Sequence, residues 1–141
     1  MPKTYPVYVV DDEEGVRAML VELCAHRGLA CRGFADGDEF LQALDGLEPG
    51  CVLLDMRLPR LNGLQVQAEM VKRGRALPVV AITGHADADM AVASMKMGAV
   101  DFLEKPFLGE VLFEAVDRAF AKVEQMEGSA KPNGTTAPRE G

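Results

Sequence analysis

Tryptophan is absent from this sequence, and cysteine is scarce, with three residues among 141. Cys24, Cys31 and Cys51 are odd in number and lack the spacing of metal ligands, which argues against a disulfide framework and a zinc site. They are expected to be buried, reduced thiols, as is usual in the cytoplasm. No apolar run is long enough to cross a membrane, and no signal-peptide cleavage site follows the N-terminus. A cytoplasmic protein that does not bind membranes is therefore predicted.

Positively charged residues are also fewer than negatively charged ones. The chain has 15 Lys and Arg residues against 22 Asp and Glu residues, which gives a formal net charge of -7 at pH 7. Because an acidic surface repels nucleic acid, direct binding of this chain to DNA or RNA is not expected. Proteins, small molecules and cations remain as partners. The length and the hydrophobic fraction of 48% are typical of one compact domain.

Short apolar runs alternate with helical patterns along the chain. Five runs predict buried strands, and apolar residues recur at helical spacing after each of them, which predicts five helices. The predicted strands are residues 7–10, 29–34, 51–54, 78–82 and 100–103. From residue 127 onward, small and polar residues prevail. We therefore predict one folded domain over residues 1–126 and a flexible tail or linker over residues 127–141.

This alternation predicts the fold class. Strands that alternate with helices form a parallel sheet covered by helices on both faces, which is the α/β class. Because crossovers are right-handed, few topologies remain. A chain of this size suits a flavodoxin-like (βα)5 doubly wound sheet with strand order 2-1-3-4-5.

Polar residues follow four of the predicted strands directly. Asp11 and Asp12 follow the first, Asp55 the third, Thr83 the fourth and Lys105 comes just after the fifth. The carboxyl ends of parallel strands meet at one edge of a sheet, so these side chains are predicted to converge there. Three carboxylates and one ammonium group leave a net charge of about -2, which requires a cation. Oxygen ligands without His or Cys favour Mg²⁺.

With a divalent ion bound, the same residues suit phosphoryl transfer. A carboxylate can act as the nucleophile and become an aspartyl phosphate. Asp55 is the predicted nucleophile because it lies on the central third strand, between the metal-binding acids and Thr83. Mg²⁺, Lys105 and the Thr83 hydroxyl would each neutralise one oxygen of the transferred group.

Five motifs at matching spacing resemble those of the receiver domains of the response regulators of bacterial two-component systems. Their amino-acid sequences are most similar to those of FixJ-type receivers. The resemblance covers about residues 5–125, and its motifs are residues 11–12, 54–59, 62–64, 82–85 and 97–107. It implies the CheY-like form of the predicted fold. It also implies a phosphoprotein that takes a phosphoryl group from a histidine kinase in a phosphorelay and catalyses only its own phosphorylation and dephosphorylation.

The resemblance implies roles for the matching residues. Asp55 would be phosphorylated, and Thr83 and Lys105 would bind the phosphoryl oxygens. Asp12 and Asp55 would ligate Mg²⁺ directly, with Asp11 acting through a water molecule.

Three further features follow from the resemblance alone. The carbonyl of Arg57 would supply another Mg²⁺ ligand. Phe102 would be a switch aromatic that follows Thr83 when phosphate binds, although it could equally be a residue that only fills space. The bond between Lys105 and Pro106 would be cis.

The expected partners occupy two surfaces. A histidine kinase or phosphotransfer protein would dock on the first helix and on the loop after Lys105. The face of the fourth helix, fifth strand and fifth helix, roughly residues 86–97, 100–104 and 110–121, would contact a downstream effector, an output domain or a second copy in a phosphorylation-dependent homodimer. Either a stand-alone receiver or the receiver part of a FixJ-type transcription factor fits the sequence.

Two alternative functions fit part of the sequence. A haloacid-dehalogenase-type phosphatase also uses an Asp nucleophile, but it would be expected to carry an acid two residues later, where this chain has Arg57. A receiver-fold interaction module that works without phosphorylation is the second alternative. The intact set of key residues argues against that module.

Overall fold

Five parallel strands form one sheet in the computed structural model, which describes residues 3–130. The order is β2-β1-β3-β4-β5, so the predicted fold class and strand order are confirmed. The strands are β1 (Val7–Val10), β2 (Cys31–Phe34), β3 (Cys51–Asp55), β4 (Val79–Thr83) and β5 (Asp101–Glu104). The helices that follow them are α1 (Glu14–His26), α2 (Gly37–Ala43), α3 (Gly63–Lys72), α4 (Ala88–Lys96) and α5 (Gly109–Ala130).

The boundaries differ from the predicted ones where local hydrogen bonds decide them. The second strand was predicted from residue 29, but the Leu29 N–H donates to the Cys24 carbonyl at 2.9 Å and closes the end of α1 instead. Gly28 adopts a positive φ of 71° at that turn, as helix C-termini often require. A short 3-10 turn, His85–Asp87, precedes α4. α5 continues to Ala130, past the predicted domain boundary at 126, and residues 131–141 of the predicted tail lie outside the described residues.

The core consists of two apolar layers, one on each face of the sheet. All residues of β1, β3 and β4 are buried, as expected of parallel strands covered on both sides. Alternate strand residues such as Val9 and Leu53 pack against α1 and α5 with Leu112 and Val116. The other layer joins α2 and α3 to the opposite face, through residues that include Phe34, Phe40, Leu54, Val66 and Met70. Within residues 3–130, no helix combines the length and apolar character that crossing a membrane requires.

Strand register brings the polar ends together. Val10 pairs with Leu54 across β1 and β3, so Asp11 and Asp55 come next to each other at the carboxyl edge of the sheet. Beyond the strands, the Met56 N–H donates to the Ile82 carbonyl at 2.9 Å, and the Lys105 N–H donates to the Thr83 carbonyl at 2.8 Å. These bonds extend the ladder by one residue and fix the backbone at the site.

The loop after β3 folds back on the strand that it leaves. The Gly63 N–H donates to the Met56 carbonyl at 2.9 Å. A Cβ at position 63 would lie 2.7 Å from the Asp55 carbonyl oxygen, so only glycine allows this close approach. Asn62 then caps α3, and the Gln65 side chain completes a capping box.

Candidate functional site

Three carboxylates converge at the carboxyl edge of the sheet, as predicted. Each of Asp11, Asp12 and Asp55 offers a carboxylate oxygen, and these atoms all lie within 4.8 Å of one another. Asp11 and Asp55 are buried, whereas Asp12 is exposed. A set of oxygen donors that includes a solvent-facing one suits a hard divalent cation that keeps part of its water shell. The cluster could therefore hold a metal ion.

Lys105 lies among these acids. Its Nζ is 3.1 Å from Asp11 Oδ2 and 3.2 Å from Asp55 Oδ2. It also contacts Glu13 Oε1 at 3.2 Å, an interaction that the sequence did not predict. Burial alone would lower the pKa of Lys105, but the charges of Asp55 and Asp11 outweigh burial and raise it. The ammonium group therefore stays charged and offsets part of the acidic cluster.

Asp55 is a buried carboxyl with a perturbed pKa. Burial raises its pKa to about 6, and the neighbouring charge of Asp11 acts in the same direction. The Arg57 N–H, which donates to Asp55 Oδ1 at 2.9 Å, and the ammonium group of Lys105 oppose that rise. A bound cation would favour the ionised carboxylate, which is the form able to act as a nucleophile.

The Arg57 side chain turns away from the acidic cluster toward the loop after β4. Its Nε donates to Asp87 Oδ2 at 3.1 Å, and its Nη2 contacts the other oxygen of the same carboxylate. Arg57 holds the pKa of Asp87 below its usual range. The sequence did not predict this pair, because no rule of spacing links residues of two different loops. The role of the Arg57 carbonyl as a metal ligand stays a prediction.

Thr83 and Phe102 occupy neighbouring strands near the site. Thr83 is the last residue of β4 and is buried, one position past the residue that pairs with Asp55. Phe102 lies on the edge strand β5 and is 47% exposed, so it does not fill the core of the described fold. Its role as a switch aromatic stays a prediction. The bond between Lys105 and Pro106 is cis, as the resemblance implied.

Comparison with known families places this arrangement among signalling domains. The family model described as response regulator receiver domain matches residues 7–117. Transcriptional regulatory protein FixJ of Azorhizobium caulinodans is 41% identical over 116 residues, which make up 82% of this chain and 55% of that protein. Response regulator protein TmoT of Ectopseudomonas mendocina is 37% identical over 124 residues, or 88% of this chain and 56% of that protein.

Solved structures agree with the sequence relatives. Full-length FixJ from B. japonicum superimposes with a TM-score of 0.83 at 38% identity, covering 90% of this chain and 63% of that one. The structure of FixJ-N gives a TM-score of 0.81 at 37% identity and covers 84% of this chain and 95% of that one. This chain thus spans little more than half the length of the curated relatives that it matches.

Proposed function

Because this chain belongs to the response regulator receiver family, we propose that it is a phosphorylation switch whose acceptor is Asp55. The observation that carries the proposal is the approach of Lys105 Nζ to Asp11 and Asp55, at 3.1 and 3.2 Å, beside three carboxylates whose oxygens lie within 4.8 Å of one another. A buried acid, two flanking acids and a fixed cation are the parts that phosphoryl transfer to a carboxylate requires.

The proposed cofactor is Mg²⁺. Asp12 and Asp55 would ligate it directly, Asp11 through water, and the Arg57 carbonyl would supply a further oxygen. The exposed position of Asp12 supports this assignment, because Mg²⁺ usually keeps several water ligands. When bound, the ion supplies positive charge that offsets the acids and the oxygens of the incoming phosphoryl group.

In the proposed reaction, an oxygen of the Asp55 carboxylate attacks the phosphorus of a phosphohistidine on a kinase or phosphotransfer protein. A P–O bond forms and the P–N bond breaks, and the electron pair stays on the imidazole nitrogen, which is then protonated. Lys105 exchanges its contact with Asp55 for a phosphoryl oxygen, and the Thr83 hydroxyl donates to another. Water later attacks the phosphorus and releases phosphate, so the chain acts only on its own acyl phosphate.

The proposed output surface is the α4-β5-α5 face. It exposes apolar side chains, namely Val92, Met95, Phe102 and Val111. A receiver whose phosphorylation alters this face would signal to an output domain, to a separate effector or to a second copy. The kinase or phosphotransfer protein would dock on α1 and on the loop after Lys105.

Intact-protein mass spectrometry with acetyl phosphate tests the proposal. We expect the wild type to gain one phosphoryl group in the presence of Mg²⁺ and none in the presence of a chelator. Asp55→Asn should gain none, whereas Asp45→Asn, a change of an exposed acid outside the site, should behave as the wild type. Absence of any gain, with acetyl phosphate or with a kinase, would favour an interaction module that works without phosphorylation.

A further inference from the structure

The Asp87 carboxylate links two loops of the site. It accepts hydrogen bonds from Arg57, whose backbone N–H in turn holds Asp55 Oδ1 at 2.9 Å. The Asp87 backbone N–H donates to the carbonyl of Gly84, the residue directly after Thr83, at 3.0 Å. Asp87 is thus attached on one side to the residue that neighbours the acceptor, and on the other to the backbone next to the phosphoryl-binding hydroxyl.

Asp87 is also the N-cap residue of α4, yet its side chain makes no capping hydrogen bond. An aspartate at this position ordinarily accepts a hydrogen bond from one of the first backbone N–H groups of the helix. Those groups belong here to Asp89 and Met90, the second and third residues of α4. The carboxylate therefore has two competing uses, the pair with Arg57 and the cap of α4, and the described structure adopts the first.

A second attachment holds the middle of α4. The Ser94 hydroxyl donates to Gln67 Oε1 at 2.7 Å, and Gln67 Nε2 donates to the Ser94 carbonyl at 3.2 Å. Both side chains are buried between α3 and α4. Because both side chains are buried and uncharged, this pair anchors the middle of α4, whereas the N-terminal end of the helix has no side-chain capping bond.

From these contacts we propose that Asp87 is a positioning residue that couples the charge on Asp55 to the start of α4. In the unphosphorylated protein, Asp87 pairs with Arg57. When Asp55 carries a phosphoryl group, the guanidinium of Arg57 turns to the phosphoryl oxygens, and Asp87 moves to cap α4. This inference rests on the proposed function and adds the mechanism by which the site reaches the α4-β5-α5 face.

Charge and exposure favour this exchange. An aspartyl phosphate carries close to two negative charges, about one more than the ionised carboxylate of Asp55, and Arg is well suited to bind its oxygens with two donors. The Arg57 side chain is 74% exposed, so it can rotate without disturbing packed residues. The carboxylate it leaves would be costly without a partner, and the cap supplies one. The Arg57 guanidinium and the Asp87 carboxylate therefore have a partner in each state, but the partners differ between the states, as a two-state element requires.

Two-dimensional amide NMR on the full chain tests the exchange, with Arg57→Gln as the main variant. This change removes the pair and leaves Asp87 able to cap α4. In the unphosphorylated variant, the amide signals of Asp89 and Met90 should move in the direction that phosphorylation moves them in the wild type. The Arg57 side chain of this pair is 74% exposed and the Asp87 carboxylate is buried, and loss of the pair should raise the ratio of capped to uncapped protein about two- to fivefold.

Two further variants separate this account from a general disturbance of the loop. Asp87→Ala removes both the ion pair with Arg57 and the cap of α4, so phosphorylation should no longer move the amide signals of Asp89 and Met90. Glu69→Gln breaks a comparable arginine–carboxylate pair on α3, with Arg73, and should leave those signals in place.

Intact mass, measured on the same samples, reports phosphorylation independently of these signals. The proposal is overturned if the signals of Asp89 and Met90 are unchanged in Arg57→Gln, or if Asp87→Ala still responds to phosphorylation as the wild type does. Failure of the wild type to take a phosphoryl group would contradict the proposed function instead, and the unphosphorylated Arg57→Gln spectrum would then still show whether loss of the ion pair moves the signals of Asp89 and Met90.

Discussion

At the scale of single residues, the positive charge of Lys105 offsets part of the negative charge of the site. Its ammonium group contacts two buried carboxylates and one exposed one. Lys105→Met should lower the free energy of unfolding of the metal-free protein by about 1–3 kcal/mol, because Asp11 and Asp55 lose their charged partner. Mg²⁺ should restore part of that loss. Urea denaturation with and without Mg²⁺ measures both effects, and a variant indifferent to Mg²⁺ would contradict the cation site.

Asp55 makes stability depend on pH in the metal-free protein. Its pKa is about 6 in the folded chain against about 4 when unfolded, so folding favours its protonated form. The stability that this protonation contributes is complete below about pH 4 and is lost as pH rises through about 6. Asp55→Asn should therefore gain about 1–3 kcal/mol over the wild type at pH 7 and nothing below pH 4. Urea denaturation across this range tests it, and a pH-independent difference would refute the assignment.

The sequence predicted the members of the site better than their contacts. Asp11, Asp55 and Lys105 were located by the rule that parallel strands end at one edge, and the structure brings them together. Glu13 and Asp87 were not predicted, since their pairings depend on how three loops turn. Loop conformation follows from local hydrogen bonds and long-range packing, neither of which leaves a periodic pattern in the sequence.

At the scale of elements, the turn at Gly63 determines whether the loop after β3 can close. An added Cβ would lie 2.7 Å from the Asp55 carbonyl oxygen, whereas at Gly15, on the exposed side of α1, it would meet nothing within 4 Å. Gly63→Ala should cost about 1–3 kcal/mol through overpacking and should slow phosphorylation. Gly15→Ala should instead stabilise by about 0.5–1 kcal/mol through helix propensity. Thermal unfolding of both variants measures the contrast, and equal effects would contradict the close approach.

Helices and strands were predicted where burial leaves a recognisable pattern of apolar residues in the sequence. The buried strands β1, β3 and β4 were predicted to within a residue or so of their bounds because they are short and continuously apolar. β2 is shorter than predicted because the Leu29 N–H donates a hydrogen bond to the Cys24 carbonyl at the end of α1. The extension of α5 to Ala130 was not predicted, because its last turns lie beyond the apolar face that marks the helix in the sequence.

At the scale of the whole molecule, the α4-β5-α5 face is the proposed route to a second copy. Phosphorylated wild type should self-associate through it. Val92→Asp should weaken that association about tenfold, because a buried charge is costly in an apolar contact. Val71→Asp is the matched control, since Val71 on α3 is 53% exposed and Val92 is 54% exposed.

Sedimentation velocity before and after treatment with acetyl phosphate measures this effect. Self-association that survives Val92→Asp would place the contact elsewhere on the surface. A phosphorylated wild type that stays monomeric would assign the face to an output domain or to another protein.

The overall architecture followed from the sequence because alternation, chain length and right-handed crossovers leave few topologies. The motif residues Asp11, Asp12, Asp55, Thr83 and Lys105 are those that this topology places at one edge of the sheet. The partner of the output face could not be predicted in the same way. The exposed apolar residues on α4 and α5 are compatible with several partners and do not identify one.

The central claim is that Asp55 accepts the phosphoryl group, and chemical mapping tests it most directly. Borohydride reduces an aspartyl phosphate to homoserine, which peptide mass spectrometry locates in the sequence. After acetyl phosphate and Mg²⁺, we predict homoserine at position 55 and at no other acid, and none when Mg²⁺ is chelated. Homoserine at position 11 or 12, or no homoserine in a protein shown by intact mass to be phosphorylated, would contradict the account.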